Sequence, residues 1–279
     1  MSDTADLQAV NIARDYYNSS DADTFYSTIW GGEDIHIGLY HSENDTIPEA
    51  SLRTQKRMIE HLNKLNSDSR VIDLGSGYGG SARYLAKKFK CNITALNLSE
   101  VENNRARKLN SRQNLDHLIE VVDGNFEELP YDDESFDIVW SQDAFLHSPV
   151  RDQVIRQASR ILKSGGEFIF TDPMQSDDCP EGVLQPILDR IHLESMASPE
   201  FYRETADETG LEEFTFEELT EQLKNHYSAV LNETISNEAE LKEKVSSEYI
   251  NNMKEGLQHW INGARNGYLA WGIFHFKKK

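Results

Sequence analysis

Asp73 stands two residues ahead of a glycine series, Gly75-x-Gly77-x-Gly79-Gly80, at the end of the apolar run Val71-Ile72-Asp73-Leu74. Glycines this dense permit a sharp turn and let a ligand lie against bare backbone. A helix beginning at Ser81 would offer unpaired N–H groups at its start. The register departs from the G-x-G-x-x-G of dinucleotide sites. A carboxylate beside the turn also disfavours pyrophosphate and favours a cation or an amine. Adenosylmethionine has an amino-acid tail, a sulfonium and no phosphate, so an acid plus bare backbone suits it. A second group lies in Ser141-Gln142-Asp143-Ala144-Phe145-Leu146-His147. Asp143 and His147 are four apart and are expected on one helical face, as a carboxylate and a base beside the donor.

These residues need a scaffold that presents strand ends on one side. From Arg70 the chain alternates strand and helix. Strands are predicted at 70–74, 92–98, 118–122, 136–140 and 167–172. Helices are predicted at 81–89, 99–114 and 150–162, the last capped by Lys163-Ser164-Gly165-Gly166. This pattern predicts an α/β doubly wound parallel sheet. Residues 1–47 form an N-terminal arm, with a helix over 7–20 and an aromatic patch, Phe25-Tyr26-Ser27-Thr28-Ile29-Trp30. We read the arm as a lid over the glycine pocket. Residues 48–279 form the main domain, and the proline-rich stretch 173–199 is an insertion that covers the acceptor. A long acidic helical region over 217–264 and a last strand over 266–276 complete the chain.

Composition narrows the partners. Of 279 residues, 48 are Asp or Glu and 28 are Lys or Arg, a net charge of −20 that repels nucleic-acid backbones. Such a surface suits a salt-rich cytoplasm equally with an ordinary one. Cys91 and Cys179 form neither a disulfide framework nor a zinc pattern. The expectation is a soluble, reduced, cytoplasmic protein without metal, acting on a small molecule as a monomer or homodimer.

Asp73-x-Gly75-x-Gly77, Asn97, Asp123-Gly124-Asn125-Phe126 and Leu162-Lys163-x-Gly165-Gly166 resemble the class I adenosylmethionine-dependent methyltransferase family. That resemblance implies a Rossmann-like sheet, mostly parallel with an antiparallel C-terminal strand. It also implies donor contacts from Tyr17, Trp30, Asp73, Gly75, Gly77, Asn97, Leu98, Asp123, Asn125, Phe126 and Gln142. Asn97 departs from the usual acid at the ribose. The arm and the Asp143/His147 loop are similar to the small-amine branch, in which a Tyr and a His latch over the donor; Tyr17, or its neighbour Tyr16, and His147 match. Tyr26-x-x-Ile29-Trp30-Gly31-Gly32-Glu33-Asp34-x-His36-Ile37-Gly38, Gly77-Tyr78-Gly79-Gly80-Ser81-Ala82-Arg83-Tyr84, Cys179-Pro180-Glu181-Gly182-Val183-Leu184 and Gly267-Tyr268-x-Ala270-Trp271-Gly272-Ile273 resemble the sarcosine/dimethylglycine N-methyltransferases of salt-tolerant organisms.

The implied reaction carries sarcosine and dimethylglycine to glycine betaine. Glycine or phosphoethanolamine as acceptor, or a non-catalytic adenosylmethionine-binding role, are the competing readings. The acceptor would touch Tyr26, Asp143, Met174 and Tyr202, with its carboxylate on Arg190 first or on Arg203, and His192 and His226 as neutral alternatives. Aromatic faces at Tyr26, Trp30, Tyr202 and Tyr227 suit a diffuse cation. Deprotonation of the amine has two routes: His147 takes the proton, or the site admits only the neutral amine.

Overall fold

The computed structural model describes residues 14–15, 18–31, 33–191 and 193–279. Tyr16, Tyr17, His192 and most of the helix expected over 7–20 lie outside the described residues.

Among the described residues the helices are α1 (Ser20–Ile29), α2 (Ile47–His61), α3 (Gly80–Phe89), α4 (Glu100–Arg112) and α5 (Arg151–Ile161). They continue with α6 (Gln185–Ile191), α7 (Pro199–Glu208), α8 (Thr220–Ser236), α9 (Glu238–Leu241) and α10 (Ser247–Arg265). Strands β1 (Arg70–Leu74), β2 (Asn92–Asn97), β3 (Ile119–Asp123), β4 (Phe136–Gln142), β5 (Leu162–Thr171), β7 (Leu211–Glu218) and β9 (Gly272–Lys278) form one seven-stranded sheet. Its order is β3-β2-β1-β4-β5-β9-β7. Pairings from β3 to β5 are parallel, and β9 runs antiparallel to both β5 and β7. Strand order reverses between β1 and β4, where an open α/β sheet presents a crevice at its carboxyl edge.

Both sheet faces are apolar because helices cover both. Ile72, Phe168, Phe170, Phe274 and Phe276 point to one face. Val71, Ile93, Ile138, Trp140 and Ile169 point to the other. A third cluster joins the arm to the helical cap: Phe25, Ile29 and Trp30 of the arm pack on Val230 of α8 and on Ile250, Met253 and Leu257 of α10.

Three expectations need correction. Lys163–Gly166 do not cap α5; they belong to β5, where Gly165 at φ 69° makes a kink. The register accordingly jumps from Phe136↔Leu162 to Ile138↔Glu167. A left-handed glycine serves a bulge as readily as a helix cap, so the sequence signal is degenerate. The final strand is interrupted at Trp271: β8 (Leu269–Ala270) pairs with β6 (Met174–Gln175), and only β9 enters the main sheet. The acidic stretch from Glu217 is three helices, with Glu217 and Glu218 still in β7.

Glu167 fixes the entry to β1. Its carboxylate accepts hydrogen bonds from the Asn63 and Lys64 backbone N–H groups, the Asn63 amide and His275 Nε2, all within 3.2 Å. Burial alone would raise its pKa, but these donors outweigh it and hold the group at about 2. A depressed carboxylate stabilises the fold above its ordinary pKa, and that stability is lost as pH falls towards 2. Glu167→Gln should lower stability by about 1–3 kcal/mol at pH 7. The difference from the parent should shrink in thermal melts taken below pH 4, and a constant difference would contradict this account.

Candidate active site

The turn after β1 closes on β2: Gly75 N and Ser76 N both donate to Leu96 O, at 2.8 and 3.1 Å. Gly75 needs its φ of 78°, and a Cβ there would meet the Ala144 methyl at 2.4 Å. Gly80 serves another purpose. A Cβ on it would meet Asp34 Oδ1 at 2.0 Å and Glu33 O at 2.4 Å. Gly80 thus admits a neighbouring chain segment, while Gly75 both admits Ala144 and borders the cavity.

Two adjoining cavities open on this turn. The larger is lined by Gly75, Gly77, Asn97, Leu98, Glu102, Asn125, Phe126, Gln142, Asp143 and His147, with Ile35 and Arg14 from the arm. The smaller lies between Asp73, Ser76, Ser81 and Gln142 and the arm residues Asp34 and His36. Eight of the donor positions expected from sequence therefore border one continuous space: Asp73, Gly75, Gly77, Asn97, Leu98, Asn125, Phe126 and Gln142.

The polar groups facing that space need ligand partners. Asp73 is buried and makes no hydrogen bond with a described residue. Burial pushes it up to about 7, against an opposing pull from His36. Gln142 spends its oxygen on Trp140 Nε1 and Ser81 Oγ, leaving its buried Nε2 without a partner among the described residues. Ser76 Oγ is unpaired in the same way. An amino-acid tail fits this set: its ammonium answers the carboxylate, and its carboxylate answers the amide and hydroxyl. Phe126, edge-on to Phe145, offers an apolar wall at the other end.

Glu102 is the residue that the sequence reading missed. It is buried in the cavity wall, accepts a hydrogen bond from Asn97 Nδ2 at 2.9 Å, and is pushed up to about 7 by burial. An acid therefore does stand where Asn97 displaced the usual one, five residues later on α4. The Ser99-x-x-Glu102 spacing carried the signal but reads as a helix cap. Ser99 Oγ does accept from Glu102 N at 3.2 Å, while the carboxylate turns to Asn97.

The loop after β4 is not helical at Asp143. That residue adopts φ 53°, and only Phe145–His147 form a short 3-10 turn, so Asp143 and His147 share the cavity rather than a helix face. The local bond Asp143 N to Thr171 O, at 2.8 Å, holds this conformation. Both Asp143 oxygens are engaged: Oδ2 accepts from Ile37 N at 2.6 Å and Oδ1 from Trp271 Nε1 at 2.7 Å. Nearby, Asp172 accepts from Tyr202 OH and Leu146 N and is pushed up to about 8 by burial. His147 is held down to about 4, by burial first and then by Arg151.

Other sites read from sequence lie elsewhere. Asp123 turns away from the cavity to Asn103 and Arg107. Trp30 packs in the arm–cap cluster beside Tyr26 and His226 and does not border the donor space. Met174 is a core residue of β6. Arg190 lies between α6 and α10, against Gly256 and the Met253 sulfur. Among the described residues no group of three His, Cys, Asp or Glu side chains could hold a metal ion, and no helix is long and apolar enough to cross a membrane.

A carboxyl whose folded pKa is raised stabilises the fold at low pH and loses that contribution as pH climbs towards the raised value. Asp73 therefore costs stability at pH 8 when no cation answers it. Asp73→Asn should melt at a higher temperature than the parent at pH 8 without ligand, yet bind the donor at least about 10-fold more weakly. Calorimetric melts with and without adenosylhomocysteine check both signs.

Residues 72–170 match a family model described as a methyltransferase domain. The chain is 62% identical to the sarcosine/dimethylglycine N-methyltransferase of Halorhodospira halochloris over 273 residues, covering 98% of each. It is 52% identical to the protein of the same name from Aphanothece halophytica, covering 95% of this chain and 96% of that one. A crystal structure from Galdieria sulphuraria, bearing the name sarcosine dimethylglycine methyltransferase, superposes with a TM-score of 0.90 at 43% identity, covering 95% and 99%. With a methyltransferase sheet and full-length likeness of this order, the chain belongs to the sarcosine/dimethylglycine N-methyltransferase family.

Proposed function

We propose that this enzyme transfers methyl groups from adenosylmethionine to the nitrogen of sarcosine and of dimethylglycine, ending at glycine betaine. The observation that carries the reading is the unanswered polar set Asp73, Ser76 and Gln142 at one end of a cavity whose other wall holds Asp143 and His147. Asp73 would hold the donor's ammonium, Gln142 Nε2 and Ser76 Oγ its carboxylate, Glu102 and Asn97 its ribose hydroxyls, and Phe126 and Asn125 its base. The donor supplies a methyl group on a sulfonium, which leaves as a neutral thioether.

The acceptor must arrive as a free amine, because its nitrogen lone pair forms the new bond. An aliphatic amine titrates near 10, as lysine does. A histidine held near 4 is far too weak a base to take that proton. The desolvated site instead admits the neutral amine and excludes the ammonium. Dimethylglycine then needs no base, and sarcosine yields a protonated product that sheds its proton to water after release. Neutral His147 orients the amine, and positioning supplies the catalysis. Asp143 secures the arm and places a carboxylate beside the charge that develops on nitrogen. The Asp143 carboxylate would repel a phosphorylated acceptor, which argues against phosphoethanolamine. The arm over residues 1–47 acts as the lid. Polar substrates of this kind belong in the aqueous cytoplasm.

With dimethylglycine, kcat/KM should rise about tenfold per pH unit from pH 6 to 9, following the amine. A break near pH 6.5 would instead put the proton on a histidine. His147→Ala should lower kcat by roughly 10–100-fold while the donor Kd moves by less than about threefold. The opposite split would remove His147 from the reaction.

A further inference from the structure

Taking dimethylglycine as the acceptor, the open question is what holds its carboxylate. Around the donor end stand four acids, Asp73 and Asp172 buried and Asp34 and Asp143 partly so, which disfavour a substrate carboxylate beside them. Arg14, on the larger cavity, pairs with Asp15, and the other arginines are engaged elsewhere. Arg83 pairs with Glu33, Arg203 pairs with Glu213, and Arg151 donates to the carbonyls of Leu146 and Ser195. Arg190 is packed between two helices against Met253.

Two neutral donors stand on the other side of Asp143. Trp30 Nε1 is fully buried and has no hydrogen-bond partner among the described residues. A buried indole N–H left so is costly unless something answers it. His226, 1% exposed, lies with its ring centroid 5.5 Å from that of Trp30. Its Nδ1 accepts from Gly38 N at 3.2 Å and lies 3.0 Å from Tyr40 OH. An Nδ1 that accepts from a backbone N–H carries no proton, so the ring proton is on Nε2. Nε2 makes no hydrogen bond with a described residue. Burial holds the ring's pKa down to about 3, which keeps it neutral at working pH.

The chain ties this pair to the reaction centre. Ile37 N donates to Asp143, and the next N–H, that of Gly38, donates to His226. One peptide step thus separates the carboxylate at the cavity edge from the imidazole. Tyr26 stacks obliquely on Trp30 at 5.0 Å, and Tyr40 and Tyr227 flank His226 at 5.9 and 5.7 Å. These faces surround the two N–H groups with surface suited to N-methyl groups.

We propose that Trp30 Nε1–H and His226 Nε2–H hold the acceptor's carboxylate, and that this neutral pair selects amino acids over amino alcohols. Neutral donors suit an acceptor whose carboxylate is already balanced by the sulfonium beside it. They also hold loosely a product that has become a zwitterion.

The test compares dimethylglycine with dimethylethanolamine, which carries the same amine and a hydroxyl in place of the carboxylate. Trp30→Phe keeps the ring and removes the N–H. It should raise KM for dimethylglycine about 10-fold, leave the dimethylethanolamine KM unchanged and leave donor Kd within about twofold. Equal losses for both acceptors, or no loss for either, overturn the proposal. The unmutated protein gives an independent reading. Its four tryptophans give four indole N–H resonances, and that of Trp30 should move downfield when betaine is added to the adenosylhomocysteine complex. An unmoved Trp30 resonance at saturating betaine overturns the assignment. An enzyme that methylates none of these acceptors would instead refute the proposed reaction.

Discussion

Asp143 is the joint on which the active region depends. Its backbone N–H is bound to Thr171 O, one oxygen takes the Ile37 N–H of the arm, and the other takes the Trp271 indole N–H before β9. Three segments remote in sequence meet on this one residue, two of them on its carboxylate. Burial pushes Asp143's pKa upward, while the hydrogen bonds from Trp271 and Ile37 pull the other way and favour the ionised form. The interruption of the last strand at Trp271 follows from this bond. So does the course of the arm, which runs from the cavity edge at Ile35 to His226 by way of Ile37 and Gly38.

The same acidic character works differently at different depths. On the surface, carboxylates lace the arm to the core: Asp23 to Arg105 and Tyr78, Glu33 to Arg83, and Asp21 to Ser246. Inside, Asp73 makes no hydrogen bond with a described residue, Glu102 accepts one and Asp172 two, and burial still pushes all three towards neutrality. Groups of this kind make the free protein less stable than it could be and bind a complementary ligand strongly. Glu167 shows the alternative: an acid equally buried but fully answered, which contributes to the fold and has no ligand to meet.

Much of this was legible in the sequence because strand–helix alternation and the Asp73–Gly80 turn are local signals. The sheet followed from them, and eight of the expected donor positions line the two cavities beside the turn. What stayed hidden depends on long-range contacts. Gly165 could cap a helix or kink a strand, and the choice was made by pairing with β4. Glu102 reads as a helix cap until its carboxylate is seen on Asn97. Arg190 was chosen for its charge, but Gly256 leaves it a slot between helices. The packing of α8 and α10 on the arm's aromatic residues was equally out of reach, because it joins segments some 200 residues apart.

Gly80 bears on how this protein can change. It opens α3, where replacing glycine ordinarily strengthens a helix by roughly 0.5–1 kcal/mol. Here the added methyl would fall on Asp34 Oδ1 and Glu33 O, both in the arm. A substitution that favours the helix would therefore unseat the arm from the smaller cavity, whose wall includes Asp34 and His36. Helix propensity and the seating of the arm pull this residue in opposite directions, so its identity is set by the neighbour it must accommodate and not by the helix it begins.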